Sequence, residues 1–264
     1  MREVAASPAP RFQDDSLIVI QDSLQPCPYL ADQVARMPLQ WPQRTYNAAD
    51  VDAFLAAGYR RSGAFLYRTQ CPRCQACEPT RVLVDEYQPS RSQRRVLRRG
   101  DRDLEVEVVP AMVDRRHIEL FNLHRNQRGL GGELEDIDQM SYRAFLVDTF
   151  CQTVEFQIKR EGRLVAVAVT DVGHDGVSAV YTYFDPACSR YSLGTYAILK
   201  QLQWCRQMAA AYLYLGLYVA ENPHLNYKAV YGPQQRLIDG VWQRFDSSGT
   251  PPGGGSPQPR QNRV

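Results

Sequence analysis

Residues 178–200 read SAVYTYFDPACSRYSLGTYAILK, and the fold turns on them. Ser178–Phe184 alternates as a buried strand does, with Val180, Thr182 and Phe184 on one face and Ala179, Tyr181, Tyr183 and Asp185 on the other. Pro186 has no N–H to give a sheet, so the strand ends at Asp185-Pro186. An amphipathic helix follows, with Ser192 as its N-cap. Gly194 lets another backbone or a ligand come close to its first turn. That turn carries free N–H groups and partial positive charge, a place for an anion or a developing oxyanion. An ordinary strand–turn–helix core unit has the same spacing, and both readings stand.

The rest of the chain sets the bounds. Its 264 residues suffice for one large domain or two small ones. A hydrophobic content of 44% with 23% charged residues describes a soluble globular protein. The formal net charge of +2 gives no bulk argument for a polyanionic partner. Lys159, Lys200 and Lys228 are the only lysines, every other basic residue being arginine. Arginine suits bidentate phosphate contact, although codon usage in a GC-rich genome explains most of such an excess. Met1–Asp15 lacks the apolar segment of a signal peptide, and the uncharged run Met208–Ala220 is too short to cross a bilayer. Seven cysteines, an odd number, point to reduced thiols or a metal site rather than a disulfide framework, and so to the cytoplasm.

Outward from the central unit, the pattern predicts strands at Leu17–Ile20, Ala64–Arg68, Arg81–Asp85 and Leu104–Val109, and a hairpin of Glu155–Arg160 and Leu164–Asp171. A further strand is expected at Tyr212–Val219. Helices are expected at Asn47–Gly58, Ser90–Gly100, Val113–Asn126 and Tyr142–Phe150. Met1–Pro10 reads as a loose arm and Gln127–Asp138 as a loop. Residues 247–264, rich in Pro, Gly, Ser and Gln, read as a disordered tail. The expected fold class is α/β (α+β), with one mainly antiparallel sheet and helices on its faces. Residues 1–110 would form a Cys-containing N-terminal domain with a basic helix, and residues 111–246 the second domain.

Two stretches carry chemistry. Cys71, Cys74 and Cys77 lie in overlapping CxxC steps, and Cys27 is the candidate fourth thiolate for a zinc ion or an iron–sulfur cluster. Small buried thiols without metal fit the spacing equally. In the basic helix, Arg91, Arg94, Arg95, Arg98 and Arg99 present a stripe with few acids between them. It suits the phosphates of a nucleic acid better than a merely solvated face.

Seven motifs in order carry a resemblance: RRSG at 60–63, CPRCQAC at 71–77, PSRSQRR at 89–95, SAVYTYFDP at 178–186, SLGTYAIL at 192–199, YLYLG at 212–216 and NYK at 226–228. In that order they resemble the aminoacyl-tRNA–protein transferases, in the bacterial branch of aspartate/glutamate leucyltransferases. The resemblance implies transfer of leucine from leucyl-tRNA to the N-terminal α-amine of proteins beginning with Asp or Glu, marking them for N-degron degradation. It implies that the second half is acetyltransferase-like (GNAT-type), without acetyl-CoA. No cofactor is required, and Leu30, where eukaryotic relatives carry a second cysteine, weakens the transfer of any cluster to this chain. An arginyl-tRNA donor, a non-catalytic Cys-metal RNA-binding module and an acetyl-CoA-dependent enzyme are the competing readings.

The chemistry then assigns roles. An aminoacyl ester is already activated, so attack by an α-amine needs positioning and oxyanion support rather than an enzyme nucleophile. Asp185 is the expected base or orienting group, with Tyr181 or Tyr183 beside it. A turn at Asp185 and sheet packing by the tyrosines are the alternatives. Arg60, Arg61, Arg190 and Lys228 are expected to bind the acidic acceptor side chain. Arg91, Arg94, Arg95, Arg98 and Arg99 are expected to hold tRNA phosphates, and Ser192 with Gly194 forms the donor platform.

Overall fold

The computed structural model describes residues 7–9, 16–127 and 136–246. In chain order the strands and helices are β1 (Ser7–Pro8), β2 (Leu17–Gln21), β3 (Leu24–Pro26), β4 (Val34–Arg36), β5 (Leu39–Pro42), α1 (Ala48–Ala56), β6 (Arg60–Ser62), β7 (Phe65–Tyr67), β8 (Glu78–Leu83), α2 (Arg91–Asp103), β9 (Glu105–Pro110), α3 (Arg115–Gln127), α4 (Gln139–Tyr142), β10 (Thr153–Arg160), β11 (Arg163–Val172), β12 (Gly176–Phe184), α5 (Leu193–Gln207), β13 (Tyr212–Tyr218), β14 (Gln234–Ile238) and β15 (Val241–Phe245). A nine-stranded sheet in the order β1-β15-β14-β8-β13-β12-β11-β10-β9 dominates, beside a four-stranded sheet β2-β5-β7-β6 and the pair β3-β4. The fold is mixed α/β with mainly antiparallel sheets.

The large sheet takes β1, β8 and β9 from the first 110 residues and inserts β8 between β13 and β14. β12 and β13 run parallel, pairing only through Gly176–Ser178 and Tyr212–Tyr214. Beyond those residues the ladder between them stops, and the two strands diverge towards their C-terminal ends. A split between the two strands begins there.

Both faces of the sheet are covered, which is why β11 reads as the near-continuous apolar run LVAVAVTDV rather than as an alternation. On one face α5 packs Leu199 and Leu202 against Val82, Val177 and Leu213. On the other, Leu120 and Phe121 of α3 meet Val167, Val169 and Tyr183. Gly100 lets α2 lie directly on α5, since a Cβ there would sit 2.2 Å from the Tyr196 ring. Capping boxes start α1 at Asn47 with Asp50 and α2 at Ser90 with Gln93.

Several expectations shift. Ser7–Pro8 pairs with Trp242 and Val241 in β15, so this part of the arm is tied to the sheet. The helix expected at Tyr142–Phe150 is α4 continued by a wider π-type turn, Arg143–Val147. Phe150 leaves it to pack with Tyr46 and Phe54. The basic helix runs three residues past Gly100, to Asp103. The tail at 247–264 and most of the glycine-rich loop, residues 128–135, lie outside the described residues. None of the described helices is long and apolar enough to cross a membrane.

Candidate functional site

The split between β12 and β13 is filled by a side chain from the small sheet. Arg60, on β6, donates to the Ser178 hydroxyl at 3.2 Å and to the Ala179 carbonyl at 3.3 Å. Gly216 of β13 makes room for it, with φ +88° and an ideal Cβ position 3.0 Å from Arg60 Nη2. Any other residue there would be strained by its backbone and would press on the guanidinium. Desolvation pushes the Arg60 pKa below the ordinary arginine value.

Lys228 stands near Arg60. It is 5% exposed, and its Nζ donates to the Leu217 carbonyl of β13 at 2.6 Å. Burial first, and then the charge of Arg60, lower its pKa from 10.5 to about 7. The fall corresponds to about 5 kcal/mol against holding the charge there. Among the described residues the carboxylate that acts most on Arg60 is Asp171, and Arg61 holds it at 2.7 Å. Half-buried Arg60 and buried Lys228 therefore share one place with no carboxylate of their own among the described residues, which is a place for an anion. Tyr29, hydrogen-bonded to Tyr67, borders Arg60, and Cys77 borders Lys228.

The start of α5 lies alongside. Thr195 is hydrogen-bonded to Tyr231, whose N–H meets the Lys228 carbonyl at 3.2 Å. Ser192 occupies the N-cap position in a left-handed conformation, φ 52° and ψ 53°, and its side chain makes no cap bond. The first-turn N–H groups thus lack the Ser192 side-chain acceptor the sequence suggested. Gly194 faces the Phe184 ring, 3.4 Å from an ideal Cβ.

Other expected residues sit elsewhere. Arg61, adjacent to Arg60 on a strand, points the opposite way. It is sealed in a buried ion pair with Asp171 and also donates to the Gly63 and Phe145 carbonyls. It is a structural group, not an acceptor ligand. Arg190 is exposed, hydrogen-bonds Tyr191 and lies against α2 through Arg99, outside the split. Tyr183 is fully enclosed, its hydroxyl 2.5 Å from that of Tyr142, so it packs the core and meets no ligand. Tyr181 is half-buried against Phe121 and Phe145. Asp185 forms the turn: its Oδ1 accepts the Ala187 N–H at 3.0 Å and its Oδ2 lies 3.6 Å from Arg163. Six residues of strand, about 20 Å, separate it from Ala179 and the Arg60 contact. An amine whose own side chain lies on Arg60 does not come within reach of Asp185.

The cysteines gather without closing. Burial, and then Cys71, Cys27 and Cys74, push the Cys77 thiol up to about 12. A tetrahedral zinc site holds sulfurs roughly 3.8 Å apart. Among the described residues no three of these sulfurs fall within 4.8 Å of one another. In any three of these sulfurs, at least one pair is therefore farther apart than a tetrahedral zinc would hold it. On α2, Arg91, Arg94, Arg95, Arg98 and Arg99 are all exposed, while Gln93 and Gly100 face inward.

Sequence comparison agrees with this architecture. Residues 25–95 match a family model described as arginine-tRNA-protein transferase, N terminus, and residues 116–238 its C terminus. A protein of Methylobacillus flagellatus named aspartate/glutamate leucyltransferase is 38% identical over 217 residues, 82% of this chain and 87% of that protein. The chain belongs to the aminoacyl-tRNA–protein transferases. Relatives of the same name from Teredinibacter turnerae and Thiobacillus denitrificans are 39% and 37% identical, each over 84% of this chain and 92% of the relative. In structure, the C-terminal domain of a putative lysylphosphatidylglycerol synthetase from Agrobacterium fabrum matches with a TM-score of 0.44 and 16% identity, over 55% of this chain and 47% of that one. L-PGS from Bacillus licheniformis matches with a TM-score of 0.42 and 15% identity, over 69% and 54%. Both structural likenesses are too loose to carry weight. As an aminoacyl-tRNA–protein transferase the chain takes its acyl group from a charged tRNA and gives it to a protein.

Proposed function

We propose that this enzyme transfers leucine from leucyl-tRNA to the α-amine of proteins that begin with Asp or Glu, and that Arg60 and Lys228 read the acidic side chain. The observation that carries the proposal is the pair itself: two cations in the β12–β13 split without a carboxylate of their own. A bound aspartate or glutamate side chain supplies the missing charge, whereas asparagine or alanine leaves the pair desolvated and unpaired. The carboxylate on the pair fixes the acceptor's α-amine a few ångströms away. The amine attacks the ester carbonyl, the N–C bond forms, and the C–O bond to the tRNA ribose breaks. The departing ribose oxygen takes a proton. The first turn of α5 is the candidate support for the oxyanion between those steps. An α-amine with an ordinary pKa of about 7.7–8.0 is partly neutral without help.

The four cysteines, gathered on Cys77, are proposed as a thiol cluster that holds the loop of residues 71–77 beside Lys228. Leucine at the head of the product is the mark of the N-degron route, and the reaction belongs in the cytoplasm with its tRNA. The family description, which names arginine, keeps one second reading: an arginyl donor. Charging tRNA separately with labelled leucine and labelled arginine, and offering Asp-, Glu- and Ala-headed peptides, separates the readings. Leucine on Asp and Glu alone is expected. Arginine without leucine would move the donor assignment and leave the acceptor reading intact.

A further inference from the structure

α2 supplies only part of the basic surface. Arg91, Arg95 and Arg98 are exposed and make no hydrogen bond or ion pair among the described residues. At the C-terminal end of the helix, Arg99 donates to the Arg190 carbonyl. Arg190 hydrogen-bonds the Tyr191 hydroxyl and lies 4.5 Å from the centre of its ring, and Arg160 approaches the same ring at 5.9 Å. Arg160 and Arg163 flank the tight turn between β10 and β11, with side chains 36% and 65% exposed. Cys188 feels the charges of Arg160, Arg163 and Arg190 together, which places all three around one turn, Pro186–Tyr191. That turn leads directly into the first turn of α5.

Opposing charges are present and mostly engaged locally. Asp103 is held by Arg102 and Tyr191, Glu161 by Arg160, and Asp185 caps its own turn beside Arg163. Arginines still outnumber acids along the path. α2 alone is about 20 Å long, and the added residues carry the basic strip on to the end of the sheet where α5 begins.

We infer that Arg160, Arg163 and Arg190 extend the α2 stripe into one continuous track for the sugar-phosphate backbone of the donor RNA, and that they hold the phosphates nearest its acyl-bearing end. The inference rests on the donor reading above and adds contacts remote in sequence from α2. Its physical basis is that guanidinium groups spaced along a solvent-exposed path neutralise successive phosphates and release their counterions. Arg190, considered above as an acceptor ligand, belongs to this track.

The test is a salt titration of tRNA binding by the full chain, with uncharged leucine-accepting tRNA as probe, together with KM and kcat for leucyl-tRNA. Each lost phosphate contact lowers the slope of log K against log salt by about 0.7 on single-stranded and about 0.9 on duplex nucleic acid. Arg160→Ala with Arg163→Ala is therefore expected to flatten the slope by about 1.4–1.8, to weaken binding at low salt about tenfold, and to act on KM for leucyl-tRNA rather than on kcat. Arg190→Ala should remove about one contact more. Arg160→Lys with Arg163→Lys keeps the charge and should restore most of the slope, which separates lost charge from misfolding. If Arg91→Ala with Arg95→Ala and Arg98→Ala flattens the slope while the 160/163 pair leaves it unchanged, the extended track is wrong and the donor reading survives. If the unaltered protein shows no salt-linked tRNA binding and no leucine transfer, the donor reading itself falls.

Discussion

Replacing Lys228 by methionine removes one charge from the pair while keeping a long side chain in place. The free protein holds this ammonium at about 7 instead of 10.5, a penalty of about 5 kcal/mol that a bound carboxylate is placed to reverse. Coulomb's law gives about 4 kcal/mol for two charges 4 Å apart at an effective dielectric of 20. With its pKa lowered to about 7, Lys228 regains its proton near neutral pH at a cost of no more than about 1 kcal/mol. Most of the Coulomb gain, about 3 kcal/mol, is left, and kcat/KM for an Asp-headed peptide should fall about a hundredfold. The already poor Ala-headed peptide should change less than about threefold. The assay is transfer of labelled leucine from charged tRNA to matched peptides. Stability supplies the control. A lysine whose folded pKa is lowered destabilises the fold fully below pH 7, and the effect fades as pH rises from 7 towards 10.5. Methionine removes that penalty but leaves the Leu217 carbonyl without its donor, about 1–3 kcal/mol. The variant should therefore melt a few degrees higher than the parent at pH 7 and lose that advantage near pH 10. Equal losses on Asp- and Ala-headed peptides, or a loss under about fivefold on Asp, would refute the reasoning.

Binding of an acid-headed, non-reacting peptide should take up protons at pH 8, because the carboxylate draws Lys228 back towards its charged form. Calorimetry in buffers of different ionisation enthalpy reads this directly, and zero uptake would count against the pair. Gly216→Ala forces a side chain into φ +88° and against Arg60. It should cost about 1–3 kcal/mol of stability and lower kcat/KM at least tenfold, whereas a wild-type rate would show that Arg60 need not sit in the split. Asp185→Asn keeps the oxygen that accepts the Ala187 N–H, and kcat should stay within about threefold of the parent; a loss of a hundredfold or more with intact folding would restore Asp185 as a base.

The strand–turn–helix unit was legible because its determinants are local, a proline at 186 and apolar helical spacing after Ser192. The alternation expected over Ser178–Phe184 breaks at Val180, where a β-bulge puts Val180 with Tyr181 and Tyr183 and turns Ala179 to the α5 face. The starts of α1 after Asn47 and of α2 after Ser90 were legible because their signals are also local. Telling Arg60 from Arg61 was not. Both are arginines on one strand, and which of them faces the split depends on how β6 docks against β12, a contact between distant parts of the chain. The choice between a turn and a base at Asp185 stayed open in the sequence, because composition cannot distinguish a carboxylate spent on an Asx turn from one left for chemistry; the structure shows the turn contact. The β14–β15 hairpin carried an audible signal, Asp239-Gly240 between two apolar-alternating runs, that was passed over. The short strands β3 to β6 had little signal to offer, since three or four residues are too few for a period to show.

The most direct measurement compares two peptides identical except for Asp or Asn at the first position, with leucyl-tRNA as donor and the unaltered protein as catalyst. The two side chains match in size and differ in charge, so the comparison isolates what Arg60 and Lys228 are said to recognise. Leucine should be joined to the Asp peptide at least a hundredfold more efficiently. Equal transfer to both would mean that Arg60 and Lys228 read something other than the acceptor's acid.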